Sequence, residues 1–148
     1  MVISWKWHDF GSLSLHHLYE LLKLRQDVFI IEQNCPYPEL DGKDPKCSHL
    51  LGFVGHEIVA YSRLVPPGIS YPELSLGRVV IAPSQRGKGT GNELLAETLR
   101  GAVNQFGEVP IKISAQSHLT KFYQRFGFEV ASEVYLEDGL PHLKMLRP

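Results

Sequence analysis

The feature that most constrains the fold is a glycine-rich turn at residues 86–91, which reads Arg-Gly-Lys-Gly-Thr-Gly. It separates an apolar stretch at 76–82, which predicts a strand, from an amphipathic stretch that predicts a helix. Glycines at alternate positions remove side chains where a backbone turns tightly, so backbone N–H groups can converge on an anion. The helix N-terminus adds partial positive charge, and Arg86 and Lys88 add full charges. The turn therefore predicts a pyrophosphate site.

Two common phosphate-binding motifs fit this turn less well. A P-loop requires a glycine where Ala82 stands and a serine or threonine after Lys88, where the chain has Gly89. A dinucleotide-binding fingerprint requires a further glycine where the chain has Asn92. The remaining alternative is a turn that only joins a strand to a helix and binds nothing.

Composition limits the class of protein. The 148 residues are 43% apolar and 21% charged, which is typical of one folded domain, here residues 1–148. The formal net charge is −1, whereas general nucleic-acid binders are usually basic, so we expect no nucleic-acid partner. No run of about 18 apolar residues predicts a membrane span, and no signal peptide is evident. We therefore expect a cytoplasmic protein without a membrane partner.

The order of the predicted elements indicates the fold class. Periodicity and turn residues predict an edge strand, a helix capped by Ser14, a loop, a hairpin, then strand, helix, strand, helix and two strands. These elements occupy residues 2–8, 15–30, 34–46, 50–65, 76–82, 92–106, 110–115, 118–125, 128–136 and 143–146. This order predicts a mixed α/β or α+β sheet covered by helices.

Two segments resemble motifs of the GCN5-related N-acetyltransferases (GNAT). Arg86-x-x-Gly89-x-Gly91 is similar to their pyrophosphate motif, and residues 122–128 are similar to their late aromatic signature. Residues 25–33 and 137–142 further resemble the ElaA-like branch of this superfamily. The resemblance implies a mostly antiparallel central sheet flanked by helices. It also implies acetyl transfer from acetyl-CoA, without a metal, to a primary amine of a small molecule or peptide.

The resemblance also implies roles for particular residues. Tyr123 would donate a hydrogen bond or a proton to the departing thiolate. The cofactor would be held by Val79, Val80, Ile81, Arg86, Gly87, Lys88, Gly89, Thr90, Gly91, Asn92 and Gln116. Of these, the three strand residues would pair with the pantetheine arm like an added strand. The base that deprotonates the amine is left open between Glu32, Glu73 and a chain of water molecules.

Charged residues elsewhere allow two interpretations each. Glu32, Glu39, Asp41 and Asp44 lie in or beside the long loop, where they predict either attraction of a cationic amine or simple solvation. Arg78 is unusual in an apolar strand. It is predicted to pair with an acid such as Glu32 or to lie at a strand edge.

The last hairpin carries Glu137 and His142, which are predicted either to line the acceptor site or to lie in a surface turn. Two alternatives to N-acetylation stay open. One is an acyltransferase of the acyl-homoserine-lactone type, and the other is a CoA-sensing or interaction module that has lost catalysis. The sequence also leaves a homodimer open.

Overall fold

The computed structural model of the chain describes residues 2–148. The strands are β1 Ser4–Asp9, β2 Ser48–Val54, β3 Glu57–Val65, β4 Ser75–Ile81, β5 Ile111–Gln116, β6 Glu129–Val130, β7 Tyr135–Glu137 and β8 Leu140–Arg147. The helices are α1 Leu15–Arg25, which continues as a π-helical segment over Gln26–Glu32, α2 Thr90–Phe106 and α3 Thr120–Gln124. The predicted order of strands and helices is confirmed as far as α3, after which the structure has three strands where two were predicted.

The strands form two antiparallel sheets that meet at one point. The first has the order β1-β2-β3-β4, and in the second β8 pairs with β5, β6 and β7. Within residues 2–148, a parallel bridge between Leu74 and Ile111 joins the start of β4 to β5, with the Lys112 amide donating to the Leu74 carbonyl at 2.9 Å. Beyond this bridge β4 and β5 separate. The predicted class, a mostly antiparallel sheet flanked by helices, is confirmed.

Helix α1 begins where predicted, because the Ser14 hydroxyl accepts a hydrogen bond from the His17 amide at 3.0 Å. The apolar spacing of Leu15, Leu18 and Leu22 predicts that they share the buried face. Leu15 is instead 87% exposed, whereas Leu21 and Arg25 are fully buried. The helix therefore carries a guanidinium group into the interior. Within residues 2–148, no helix combines the length and the apolar character needed to cross a bilayer.

Helix α2 packs against the first sheet. The spacing of Leu95, Leu99, Val103 and Phe106 predicts that they share its buried face, but Val103 is 40% exposed. The buried residues are Thr90, Leu94, Leu95, Thr98, Gly101 and Ala102. The reason is a close approach to β1, since a Cβ atom on Gly101 would lie 2.2 Å from Cζ2 of Trp7. A glycine at this position lets the helix lie directly against the indole ring.

We expect Gly101→Ala to destabilise the protein although alanine has a higher helix propensity. Forcing the Trp7 ring aside costs about 1–3 kcal/mol. The gain in helix propensity is about 1 kcal/mol, so we expect the cost to exceed the gain. The free energy of unfolding in urea measures the net effect. Gly11→Ala is the matched control, because its Cβ would meet only Asp9 Oδ1 at 3.9 Å. A Gly101→Ala protein more stable than wild type would contradict this packing.

The end of the chain departs from the prediction in one respect. The predicted strand at 128–136 is interrupted between β6 and β7, where the Ser132 hydroxyl accepts a hydrogen bond from the Lys144 amide at 2.8 Å. The predicted turn between the last strands is confirmed. Asp138 and Gly139 have φ angles of 51° and 78°, the left-handed pair that a two-residue hairpin of type I′ requires.

Candidate functional site

The candidate site lies where β4 and β5 separate. Throughout its length β4 pairs only with β3 in the described sheets, so its other edge presents unpaired backbone groups. Val79, Val80 and Ile81 all lie on this edge strand. Val79 faces the opening, whereas the Val80 side chain is packed in the core. An extended ligand can add to such an edge as a further strand.

A cavity of about 790 Å³ occupies the opening between the two strands. Its walls come from β4, β5, the loop after α1 and the hairpin of β7 and β8. The residues singled out from the sequence that line it are Asp41, Arg78, Val79, Gln116, Tyr123, Glu137 and His142. The turn at 86–91, Glu32 and Glu73 lie outside its lining. The volume is within the usual range for small-molecule sites.

The glycine-rich turn ends at the N-terminus of α2. Gly87 and Gly89 have φ angles of 76° and 77°, which only glycine adopts readily. No side chain caps the first turn of α2, so the amides of that turn are available to a ligand. Cβ atoms on Gly87 or Gly89 would meet nothing within 4 Å, so the space in front of the turn is open. This is the geometry of an anion site at a helix N-terminus.

Two residues with separate predicted roles form an ion pair beside this turn. The Arg86 guanidinium lies 2.8 Å from a carboxylate oxygen of Glu32, and both side chains are partly exposed. The Arg86 side chain also donates to the carbonyl of Ile81 at 3.4 Å. Glu32 therefore lies next to the predicted phosphate site. The suggested pairing of Glu32 with Arg78 is wrong, because Arg86 takes that partner.

Arg78 creates an irregularity in β4. Tyr61 pairs with Val80 and Arg63 pairs with Gly77, so residues 61–63 of β3 lie opposite residues 77–80 of β4, which has one residue more. The extra residue is a β-bulge, with Arg78 at a φ angle of 53°. Such a left-handed conformation costs a non-glycine residue about 1 kcal/mol or more and persists only where the surroundings enforce it. The bulge lies within the part of β4 that lines the cavity, residues 75–79.

The surroundings of Arg78 are the acids of the long loop. Its guanidinium forms an ion pair with Glu39 and donates to the Glu39 carbonyl at 2.9 Å. Glu39 also pairs with the fully buried Arg25 at 2.9 Å, and Asp44 lies 2.8 Å from Arg25 and 2.9 Å from Arg63. These acids are thus neither solvated nor free to attract an amine. They join α1, β3 and β4 into one ion-pair network.

The network shifts the titration of its carboxyl groups. Burial alone would raise the pKa of Asp41, but hydrogen bonds and charge from Arg63 hold it well below its usual range. Burial would likewise raise the pKa of Asp44, but the hydrogen bond from Arg25 more than offsets this effect, so the pKa of Asp44 is lowered. Both groups stay ionised at neutral pH because an arginine is always beside them.

Tyr123 lines the cavity. Its ring contacts Phe122 and Phe128 edge-on, with centroids 5.2 and 5.7 Å away, and only 6% of the residue is exposed. Burial raises the pKa of Tyr123 to about 12. Proton transfer to a thiolate, whose thiol has a pKa of ~8.5, is then uphill by about 5 kcal/mol. The hydroxyl is therefore better suited to donate a hydrogen bond than to give up its proton.

A second polar group on the cavity wall comes from the last hairpin. Nδ1 of His142 donates to the Leu140 carbonyl at 2.8 Å, and its Nε2 lies 3.4 Å from Glu137. Glu137 also accepts a hydrogen bond from the Ser114 hydroxyl at 3.0 Å. His142 is only 8% exposed. The hairpin thus forms part of the cavity and is not a free surface turn.

Glu73, the other candidate base, lies just before β4. One of its carboxylate oxygens is buried without a hydrogen-bond partner among residues 2–148. Gln116, at the end of β5, donates to the Gln33 side chain at 3.4 Å and keeps its place on the cavity wall.

Residues 31–147 match the family described as "Acetyltransferase (GNAT) domain". This chain belongs to the GNAT superfamily. Protein ElaA of Escherichia coli (strain K12) is 40% identical over 148 residues, 99% of this chain and 97% of ElaA. The crystal structure of Escherichia coli ElaA superposes with a TM-score of 0.93, over 99% of this chain and 100% of the ElaA chain. The resemblance to the GNAT superfamily and its ElaA-like branch is confirmed.

Solved structures place the chain among GNAT acyltransferases. A crystal structure of an acyl-CoA N-acyltransferase from Pseudomonas aeruginosa is 39% identical, with a TM-score of 0.95 over 99% of this chain and 100% of that one. A GNAT acetyltransferase from Elizabethkingia anophelis, solved with acetyl-CoA bound, is 17% identical. It has a TM-score of 0.64 over 97% and 96% of the two chains, which shows a shared fold.

Proposed function

We propose that this GNAT protein is an acetyl-CoA-dependent N-acetyltransferase that acts on a primary amine of a small molecule or peptide. The main support is that three surfaces follow one another along β4: the uncapped N-terminus of α2, the unpaired strand edge and the cavity lined by Tyr123. An anionic tail, an extended arm and a reactive acyl group require surfaces of these kinds. A cytoplasmic location fits the two cysteines, Cys35 and Cys47, which are free thiols.

The donors of the site fit acetyl-CoA by their chemistry. The amides of residues 87–92 and the side chain of Arg86 would bind the pyrophosphate, and the edge of β4 would pair with the pantetheine arm. Acetyl-CoA, when bound, supplies the thioester that the amine attacks. A backbone N–H near Val80 would stabilise the negative charge that develops on the carbonyl oxygen. Gln116 can donate or accept through its amide.

The attacking amine must first lose a proton. For a lysine-like amine with a pKa of ~10.4, the neutral form costs about 4.6 kcal/mol at pH 7. Glu32 and Glu73 remain candidates for the base, but His142 is the group that lines the cavity. The Leu140 carbonyl can only accept, so Nδ1 carries a proton, and in the neutral imidazole Nε2 has the lone pair that can take up a proton. Glu137, 3.4 Å away, would stabilise the imidazolium that forms.

Replacing each candidate base distinguishes among them. We expect His142→Gln to lower kcat by about 100-fold at pH 7, as removal of a general base does, and to abolish the low-pH limb of the rate profile. Glu32→Gln and Glu73→Gln should keep that limb and change kcat by less than about threefold. Rates from pH 5.5 to 9 with one acceptor provide the comparison. If Glu32→Gln or Glu73→Gln alone removed the limb, His142 would not be the base.

Tyr123→Phe removes only the hydroxyl that would face the departing thiolate. A hydrogen bond to a charged acceptor contributes about 1.5–3 kcal/mol, so kcat should fall about 10- to 100-fold. The Kd for acetyl-CoA should change little, because the phenyl ring keeps its packing. Steady-state rates and titration with acetyl-CoA measure the two quantities. Tyr19→Phe, at an exposed position on α1, is the control, and an unchanged kcat in Tyr123→Phe would make Tyr123 a packing residue.

Release of free thiol from acetyl-CoA with a panel of amines tests the proposal itself. Thiol release that depends on the amine supports N-acetylation if the product is about 42 Da heavier than the amine, which is the mass that one acetyl group adds. A lactone product, or thiol release from longer acyl-CoA donors but not from acetyl-CoA, would favour the acyl-homoserine-lactone alternative. Tight binding of acetyl-CoA without any thiol release would favour the CoA-sensing alternative.

A further inference from the structure

One part of the cavity wall carries two lysines that have no carboxylate partner among residues 2–148. Lys43, from the loop after α1, and Lys144, on β8, both line the cavity. Their ammonium groups donate to neutral oxygens, Lys43 to the Ser70 hydroxyl at 2.9 Å and Lys144 to the Tyr71 hydroxyl at 3.0 Å. An ammonium group has three donors, so Lys43 keeps two and Lys144 keeps at least one that a ligand can use.

The two lysines contact adjacent residues of the loop before β4. Ser70 holds one ammonium group and Tyr71 holds the other. Lys144 Nζ also lies 5.0 Å from the Tyr71 ring centroid and 4.8 Å from that of Tyr135. Burial lowers the pKa of Lys144, but the hydrogen bonds that its ammonium group donates to Tyr71 and Tyr135 more than offset this and raise it, so the group stays cationic. Lys112 Nζ, 5.2 Å from the Tyr71 centroid, adds positive potential.

The other cations of this wall are already neutralised. Arg63 pairs with Asp41 and Asp44, and Arg78 pairs with Glu39. The positive charge of Lys43 and Lys144 is therefore the part of the wall that is left for a ligand. In a protein with a net charge of −1, such an uncompensated pair is a local feature and does not reflect the overall balance.

Carboxylates that have no lysine or arginine partner among residues 2–148 line the same cavity. Glu137 and Asp138 both line it, and Glu137 faces Nε2 of His142. His142 and Lys144 are two residues apart on β8, so they project from the same face, roughly 7 Å apart. Glu137 and His142 thus lie next to the ammonium group of Lys144 in the cavity, at a spacing that a small molecule with a short carbon chain can span.

We propose that the acceptor is a small amine that also carries an anionic group, a carboxylate or a phosphate, which Lys43 and Lys144 bind while the amino group lies beside His142 and Glu137. This inference deepens the proposed N-acetylation and rests on it. Two lysines that select the anionic end would orient the amine toward the acyl group. Amines without an anionic group would leave both ammonium groups without a partner.

Matched pairs of amines test the anionic group. The protein saturated with CoA is titrated with β-alanine and β-alaninamide, with 4-aminobutyrate and its amide, and with O-phosphoethanolamine and ethanolamine. We expect the anionic member of at least one pair to bind about tenfold more tightly, as a charge-assisted hydrogen bond predicts, and we expect Lys43→Gln/Lys144→Gln to remove the difference. Lys121→Gln, on the exposed part of α3, should retain it. The carboxylate and phosphate pairs show which anion is preferred.

Equal binding within every pair, binding by no pair, or a preference that survives the double substitution would overturn the inference. The single variants Lys43→Gln and Lys144→Gln serve the same purpose if the double variant does not fold. Thiol release separates this result from the proposed function. Equal turnover of charged and uncharged amines would leave N-acetylation standing and refute the anion site. A lysine-dependent preference in binding without any turnover would retain the anion site and refute the transfer reaction.

Discussion

Gly89→Glu should lower the affinity for CoA by at least about 1,000-fold while the protein stays folded. Gly89 precedes α2 at a φ angle of 77°, and its Cβ would point into open space, so the new side chain meets no protein atom within 4 Å at its root. The carboxylate would instead lie where the pyrophosphate is expected, beside the free amides of the helix. Loss of two charge-assisted hydrogen bonds, at about 1.5–3 kcal/mol each, accounts for a change of this size.

Gly89→Ala is the matched control for the backbone. It imposes the same left-handed conformation on a residue with a Cβ atom, at a cost of about 1 kcal/mol in stability, but it adds neither bulk nor charge. We expect its affinity for CoA to remain within about tenfold of wild type. Titration calorimetry gives both affinities, and circular dichroism establishes that both variants are folded. Retained affinity in a folded Gly89→Glu protein would refute the assignment of the turn.

Arg25→Met should destabilise the protein by about 3–5 kcal/mol. Arg25 is fully buried and pairs with both Glu39 and Asp44. Methionine has a similar length but leaves these carboxylates with less compensation inside the protein, and breaking one side of a buried pair is costly. Since the total stability of a domain is about 5–15 kcal/mol, the variant loses a large share of it. The midpoint of urea unfolding measures the loss.

Lys23→Met, on the same helix, is the control for Arg25→Met. Lys23 pairs with Asp27 at 2.8 Å, but both side chains are exposed, and such pairs contribute about 0–1 kcal/mol. Each variant thus removes one positive charge from the same helix, Arg25→Met a buried one and Lys23→Met an exposed one. A loss below about 1 kcal/mol for Arg25→Met would mean that solvent reaches the network, and the enforced conformation of Arg78 would need another explanation.

The elements that depend on local sequence could be predicted. The cap at Ser14, the turn at Asp138 and Gly139, and the strand before the glycine-rich turn each follow from a few neighbouring residues. The faces of the helices could not be predicted in full. Which side of α2 is buried depends on the contact of Gly101 with Trp7, whose positions lie far apart in the sequence.

The ion-pair network also required the folded structure. Arg25, Glu39 and Arg78 come from three segments, and no local pattern indicates which acid meets which base. The available signal was the presence of arginines on apolar faces together with a loop rich in acids. A buried arginine on a helix face implies an acidic partner, because an unpaired buried charge is costly. That inference would have assigned the acids of the loop to the interior.

Titration of the purified protein with acetyl-CoA, and separately with ATP and with NAD, tests the central claim most directly. We predict binding of acetyl-CoA with a Kd on the order of micromolar, about −8 kcal/mol, and no comparable binding of the other two. Such a result would join the glycine-rich turn, the edge of β4 and the cavity into one cofactor site. Binding of ATP or NAD in preference to acetyl-CoA, or no binding of acetyl-CoA, would contradict the proposed function.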